Sequence, residues 1–387
     1  MTEWRPALPR PTMLTDHELA LYDEARRTAK ERLAGLAESA EPAAIDRSLV
    51  AALAEAGLVG KLFPNTHGGT QPGEVSAVVL CLLREAVATE SPEAETALAM
   101  QGLGSYPVLQ SALPEVAQRW IPEVASGAVV PAFALTEAAA GSDAAAIGLR
   151  AQRDGEGWRL TGSKTWISNA PDADIYTVFA RTTEGAGARG VSAFLVLGDS
   201  DGLGGGALDL LSPHPIGTLE FDGVYVPAEH LLGEVDHGFR VAMRTLDRFR
   251  PSVGAFAVGM AQAALEAAMD HAAEREAFGG PLRDLQAIGH MLAKMATVTH
   301  AARLLVYDAA RAFDGGAEPL TIRSSMAKFQ ATESAQWVVD AAIQIHGARA
   351  LERGHTLERL YRDVRAPRIY EGASEVQLSI ISKRIYD

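Results

Sequence analysis

Apolar positions along the chain fall into three rhythms. From about Leu14 to Ala125 they recur every three to four residues, which is the spacing of one helix face. HELALYDEARRTAKERLAGLAE opens this region behind Thr15 and Asp16, residue types that cap helix N-termini. SLVAALAEAGLVG, EVSAVVLCLLREAVA and EAETALAMQGLG continue it, with breaks at PNTHGGTQPG and GSYP. From about Ser126 to Leu232 the pattern shifts to short β-rich runs: VVPAFALTE, GWRLTGSKTWISNA, IYTVFART, GVSAFLVLGD and TLEFDGVYVPAEH. These predict a small β-barrel or sandwich, with the glycine-rich DGLGGGALDLL as a flexible surface loop. From about His237 onward helical spacing returns and predicts a bundle. The expected fold class is α+β: an N-terminal helical domain (1–125), a middle β-barrel or sandwich domain (126–236) and a C-terminal four-helix-bundle domain (237–387).

Composition narrows the function classes. A net charge of −14 argues against a nucleic-acid partner and gives no polybasic membrane patch. The single cysteine, Cys81, allows no internal disulfide framework, as in a reducing compartment. MTEWRPALPRP, with an early acid and several prolines, does not read as a signal peptide. No apolar run approaches the roughly 20 residues of a membrane span. The expectation is a cytoplasmic protein with no membrane span.

The most informative stretch is APRIYEGASEVQ, Ala366 to Gln377. Helical spacing runs through LERLYRDVRAPR until Pro367 breaks it, and resumes after IYEG. Glu371 therefore falls on a short joint between helices, where catalytic groups are often placed. The competing reading is an acid favoured near the start of the last helix. FALTEAAAGSD supplies Thr136, Gly141, Ser142 and Asp143 on a loop after a strand; it suits either a heterocycle or phosphate, or the closure of a barrel. Trp166 and Ser168 lie on a neighbouring β-run, where a Trp is either core or the wall of a flat-ring site. In EREAFGGPL, Arg275 suits a helix end through the macrodipole, or a phosphate through bidentate contact. Gln344 shares an apolar stripe with Trp337, Ala341 and Ile345, so a buried partner is expected for it. Asp247 and Arg250 stand three residues apart, either as a solvated ion pair or as a clamp on an anionic substrate.

Other chemistries are poorly supported. GAGARG (Gly185, Gly187, Gly190) matches a dinucleotide-binding spacing, but a strand follows it, so it reads as a hairpin loop. His67, His214, His237, His290 and His346 show no zinc-ligand spacing, and no metal is expected. There is no G-x-S-x-G nucleophile elbow.

In order along the chain, ALTEAAAGSD, GSKTWISNA, EREAFGGPL, AIQIHG and IYEGASEVQ resemble the acyl-CoA dehydrogenase family, flavoproteins that introduce a double bond α,β to a thioester. The resemblance implies FAD as cofactor and Glu371 as the base that removes the α-proton. It implies that the carbonyl oxygen meets the flavin ribityl hydroxyl and the Glu371 backbone N–H. Phe133, Leu135, Thr136 and Ser142 match flavin-lining positions, Ser142 also lying near the pantetheine. Trp166 and Ser168 match positions flanking the isoalloxazine. Arg275, Phe278, Gln286, Gln344 and Gly347 match the residues holding the FAD tail, partly from a neighbouring subunit, and Ala373 and Glu375 are counted with the cofactor set. Asp247 and Arg250, with Tyr370 and Gly372, are expected on the substrate side. The resemblance further implies a homo-oligomer, usually a tetramer, and an electron-transfer flavoprotein as acceptor. Some relatives carry the base on the earlier helix; Phe249 stands there and takes no proton. Ala348 after Gly347, and SPHPIGTLEFDG before the last strand, depart from the family pattern. An oxidase on the same fold, or a dehydrogenase of acyl-carrier-protein thioesters, is the alternative.

Overall fold

The computed structural model describes residues 9, 11–38 and 44–386; most of the stretch MTEWRPALPRP lies outside them. Its helices are α1 (Asp16–Thr28), α2 (Ala34–Glu38), α3 (Arg47–Glu55), α4 (Ala77–Glu90), α5 (Pro92–Ser111), α6 (Pro114–Ala125), α7 (Gly238–Glu274), α8 (Gln286–Asp314), α9 (Leu320–His346), α10 (Thr356–Asp363) and α11 (Ser374–Arg384). The strands are β1 (Pro131–Ala134), β2 (Arg150–Asp154), β3 (Gly157–Ser168), β4 (Ile175–Arg181), β5 (Val191–Leu197), β6 (Leu203–Ala207), β7 (Ile216–Val226), β8 (Glu276–Ala277) and β9 (Gly280–Pro281). The order helical, β, helical is the one that the apolar rhythms predict. The Thr15 expectation holds: its hydroxyl accepts from Glu18 N, and Thr15 N donates in turn to Glu18 Oε2, closing a capping box.

Contacts divide the chain into two compact units. One comprises Met1–Ala34, Ser76–Glu95 and Asp247–Asp387; the other comprises Gly35–Val75 and Thr96–Leu246. In the first, α8 packs on α9, α4 on α1 and α8, and α10 and α11 on α9. Glycines permit close helix crossings. A Cβ on Gly259 would sit 2.5 Å from the Glu85 carbonyl, and one on Gly254 2.7 Å from Val306. Several buried polar groups inside this unit are paired with one another. Glu85 takes Arg303 Nε at 2.8 Å and the Tyr307 hydroxyl at 2.9 Å. One 18-residue window of α7 has mean hydropathy 1.3, long and apolar enough to cross a membrane by length and composition. This is an exception to the expectation about apolar runs. Within the protein 78% of that window is buried, as in a core helix.

The second unit holds a curled seven-stranded sheet, ordered β1-β4-β2-β3-β7-β6, with β5 on β4. β1 and β4 run parallel, whereas β3 and β7 form a long antiparallel pair. Inward residues such as Trp158, Leu160, Tyr176, Phe194 and Val224 fill its core. β4 and β5 are antiparallel neighbours, so GAGARG is the hairpin loop that was expected. DGLGGGALDLL is a different matter. Its Leu203–Ala207 is a strand paired with β7, not a loop. The glycines admit a close approach there: a Cβ on Gly205 would lie 2.1 Å from the Thr218 carbonyl oxygen.

Candidate active site

The Glu371 loop is built by two helix endings. α10 stops at Asp363, and Pro367 sits inside the short 3-10 turn Ala366–Arg368. α11 begins at Ser374, with Ala373 as a cap residue that supplies no side-chain bond. Glu371 thus stands outside both helices, and the helix-start reading of it fails. Its φ is 51° and that of Gly372 is 90°, two successive residues in the left-handed region. For a non-glycine residue this conformation costs about 1–2 kcal/mol, and such strain concentrates at functional positions. Among the described residues the non-glycine positions with positive φ are Trp166, Asn169, Asp236, Phe278 and Glu371. Three of these are site residues expected from the sequence.

The electrostatics of Glu371 suit a base. The residue is half-buried, and its Oε2 is withdrawn from solvent without a hydrogen-bond partner. Desolvation pushes its pKa above the ordinary carboxylate value, against the opposing charges of Arg84, Arg250 and Lys328. Arg250 is buried and reaches Asp247 Oδ1 at 2.5 Å, so the pair is not the solvated surface bridge that i,i+3 spacing also allowed. Arg250 Nε is buried and unpartnered. Phe249 beside it is buried. Arg84, from α4, pairs its Nε with Glu95 Oε1 and donates from Nη1 to Ser252 Oγ at 2.8 Å. Lys328, fully buried on α9, donates to the Gly372 carbonyl at 2.6 Å. The sequence reading missed Arg84, Glu95 and Lys328. Only Arg84 gave a visible signal, as a charge inside the apolar run VVLCLLREAVA. Tyr370 is 37% exposed and Glu375 is exposed, while Gly372 and Ala373 are half-buried.

In the β unit the expected flavin residues rest on a buried brace that sequence reading also missed. Lys164 Nζ donates to the Leu135 carbonyl at 2.9 Å and to Glu137 Oε1 at 2.7 Å. Glu137 also accepts Gly148 N at 2.6 Å and Leu149 N at 2.9 Å. Thr165 N donates to the Thr136 carbonyl at 3.0 Å, which fixes the loop after β1. Burial lowers the pKa of Lys164 to about 8, against the pull of Glu137. Leu135 is buried, so a ligand would meet its backbone rather than its side chain. Phe133 is half-buried, its ring 4.9 Å from that of Phe179, and Ser142 is exposed. The β3–β7 register shifts between Lys164 and Ile167. This bulge turns Trp166 to φ 54° and leaves it 49% exposed. Ser168 Oγ lies 2.7 Å from His214 Nε2, and desolvation lowers that histidine's pKa to about 4, so it is neutral. An indole held in strain and half bare fits a flat aromatic ligand better than a core position.

The residues expected at the FAD tail all face solvent. Arg275 follows the end of α7, Phe278 is 92% exposed at φ 55° in the β8–β9 turn, and Gln286 opens α8. Gly347, at φ 67°, closes α9. Gln344 is exposed as well, so no neighbouring helix among the described residues buries it. Its stripe ends at a rim: Ala341 and Ile345 are buried, but Trp337 is only half-buried and carries Lys294 Nζ over its ring at 4.4 Å. A nearly bare phenylalanine in a left-handed turn, next to an exposed arginine, suits a surface that is covered by something else.

Family models of the acyl-CoA dehydrogenase N-terminal, middle and C-terminal domains match residues 15–128, 132–224 and 236–386. The chain is 35% identical over 376 residues to cyclohexane-1-carbonyl-CoA dehydrogenase of Geobacter metallireducens, covering 96% of this chain and 98% of that one. It is 37% identical over 355 residues to caffeyl-CoA reductase–Etf complex subunit CarC of Acetobacterium woodii, covering 90% and 92%. Its fold superposes with a TM-score of 0.88 and 26% identity on a glutaryl-CoA dehydrogenase of Mycobacterium smegmatis in complex with FADH2, covering 96% and 95%. The chain belongs to the acyl-CoA dehydrogenase family, and it is an acyl-CoA dehydrogenase by that membership.

Proposed function

We propose that this chain catalyses FAD-dependent α,β-dehydrogenation of an acyl thioester to the trans-2-enoyl thioester, with Glu371 as the base. The observation that carries this reading is the Glu371 carboxylate itself, whose Oε2 is buried and unpartnered. An α-proton beside a thioester is weakly acidic, so the base must bind protons more tightly than a solvated glutamate. Burial supplies that affinity, while the positive charges of Arg84, Arg250 and Lys328 oppose it. Glu371 takes the proton from Cα as the Cα–Cβ double bond forms. FAD, when bound, would accept the hydride that leaves Cβ.

The residues proposed to hold FAD are Phe133, Leu135, Thr136, Ser142, Trp166 and Ser168 at the ring, with Arg275, Phe278, Gln286, Gln344 and Gly347 at the tail. Ala373 and Glu375 complete the cofactor set. The strained, half-exposed Trp166 is the strongest local support. Ser142, Asp247, Arg250, Tyr370 and Gly372 are proposed on the substrate side. Domain limits at 125/126 and 236/237, a homotetramer, a cytoplasmic location and an electron-transfer flavoprotein as acceptor belong to the same reading. The similarity to a subunit of an Etf complex supports the last of these.

That relative is a reductase, which favours a second reading with the same residues. Run backwards, Glu371 returns the proton to Cα of an enoyl thioester. Anaerobic mixing of the FAD-loaded protein with a panel of acyl-CoA and acyl-carrier-protein thioesters tests the proposal. Bleaching of the flavin by at least one saturated thioester is expected. A flavin that none of them reduces, in a protein that reduced flavin re-oxidises on adding enoyl thioesters, would turn the assignment to the reductase. A colourless protein that cannot be reconstituted with FAD would refute both.

A further inference from the structure

α9 holds the Glu371 loop at three places. Glu333 Oε1 accepts Arg368 Nε at 2.8 Å just before the loop and Ser374 Oγ at 2.6 Å just after it. One carboxylate oxygen thus ties down both ends. The middle is held by the backbone carbonyls. Gln377 Nε2 donates to the Glu371 carbonyl at 3.3 Å and to that of Gly372 at 3.0 Å. Lys328 Nζ donates to the Gly372 carbonyl at 2.6 Å. The turn tolerates little change, since Gly372 has a φ of 90°, which residues with a side chain rarely adopt.

We propose that Lys328 is a positioning residue for the base: its ammonium pins the left-handed Glu371–Gly372 turn through the Gly372 carbonyl and presents a positive charge to the Glu371 carboxylate. The inference rests on Glu371 being the base. A neutral donor could also satisfy the carbonyl, though less strongly, and burying an ammonium is costly. A lysine at this position therefore needs a second use for its charge. The charged groups around it are Glu371, Arg250, Glu333 and Glu375, and Glu371 stabilises the ammonium most. The relation is mutual, because Lys328 lowers the proton affinity of Glu371. Burial nevertheless brings the Lys328 pKa down to about 8.

The experiment compares Lys328→Gln, which keeps a donor and loses the charge, with Lys328→Met, which loses both. FAD content and the pH dependence of kcat/KM are measured for each, with Glu371→Gln alongside. For Lys328→Gln the acid limb should move up by about one pH unit, because Glu371 loses a nearby cation. Lys328→Met should in addition lower kcat by about 10–100-fold with little change in KM, as expected of a base displaced by a fraction of an ångström. An acid limb and kcat like those of wild type in both variants would overturn the inference. If Glu371→Gln is inactive in that case, the base assignment stands and only the role of Lys328 falls. If Glu371→Gln itself turns over normally, the proposed function falls first. Should neither Lys328 variant fold, Ser374→Ala cuts one Glu333 tie and leaves the buried charges alone. It should lower kcat without raising KM, and an unchanged kcat would refute the clamp.

Discussion

Replacing Lys164 with methionine probes the brace beneath the proposed flavin loop. Lys164 has a fully buried ammonium, and its pKa falls from 10.5 to about 8. The folded state therefore binds fewer protons than the unfolded chain between these two values. Stability contributed by this group rises with pH across that window and is lowest below about pH 8, where the charge is buried in full. Between pH 7.5 and 10 the linkage amounts to about 2 kcal/mol. The variant lacks the group, so wild-type stability minus variant stability should grow by about 2 kcal/mol over that range. Urea unfolding of both proteins at a series of pH values measures the difference, and groups common to both cancel. A difference that stays flat within about 0.5 kcal/mol would refute the reasoning. Losing the bonds to Leu135 and Glu137 should also loosen the loop, and FAD should dissociate more readily from the variant on dialysis.

Two further outcomes follow from single positions. Trp166→Gly relieves the backbone, because glycine adopts φ 54° freely; the fold should persist while FAD binds about tenfold more weakly by titration, and undiminished affinity would remove Trp166 from the cofactor site. Arg84→Met removes the guanidinium that pairs with buried Glu95 and should cost about 3–5 kcal/mol in urea unfolding; Arg84→Met with Glu95→Gln should recover most of that, and a double variant as unstable as the single one would contradict the pairing.

Much of this protein is readable from residue types. The helix rhythm, the Thr15 cap and the Glu371 joint are local: Pro367 and Gly372 break regularity within a few residues of the base. The charged supports are not local. Lys164 finds Leu135 across 29 positions, and Lys328 finds Gly372 across 44. In sequence each is an ordinary lysine, a residue type that is almost always exposed. β6 was hidden for a related reason. Glycines usually signal a loop, and only the close approach to Thr218 makes LGGGA a strand. Gln344 shows the reverse limit: periodicity finds the stripe, but neighbouring helices decide where burial ends.

The most direct test is Glu371→Gln in the FAD-loaded protein, mixed anaerobically with the acyl thioester that reduces wild type fastest. Flavin content should be unchanged, and the bleaching rate should fall by about 10²–10⁴-fold, the usual contribution of a positioned general base. A rate within a few-fold of wild type would mean that another group removes the proton.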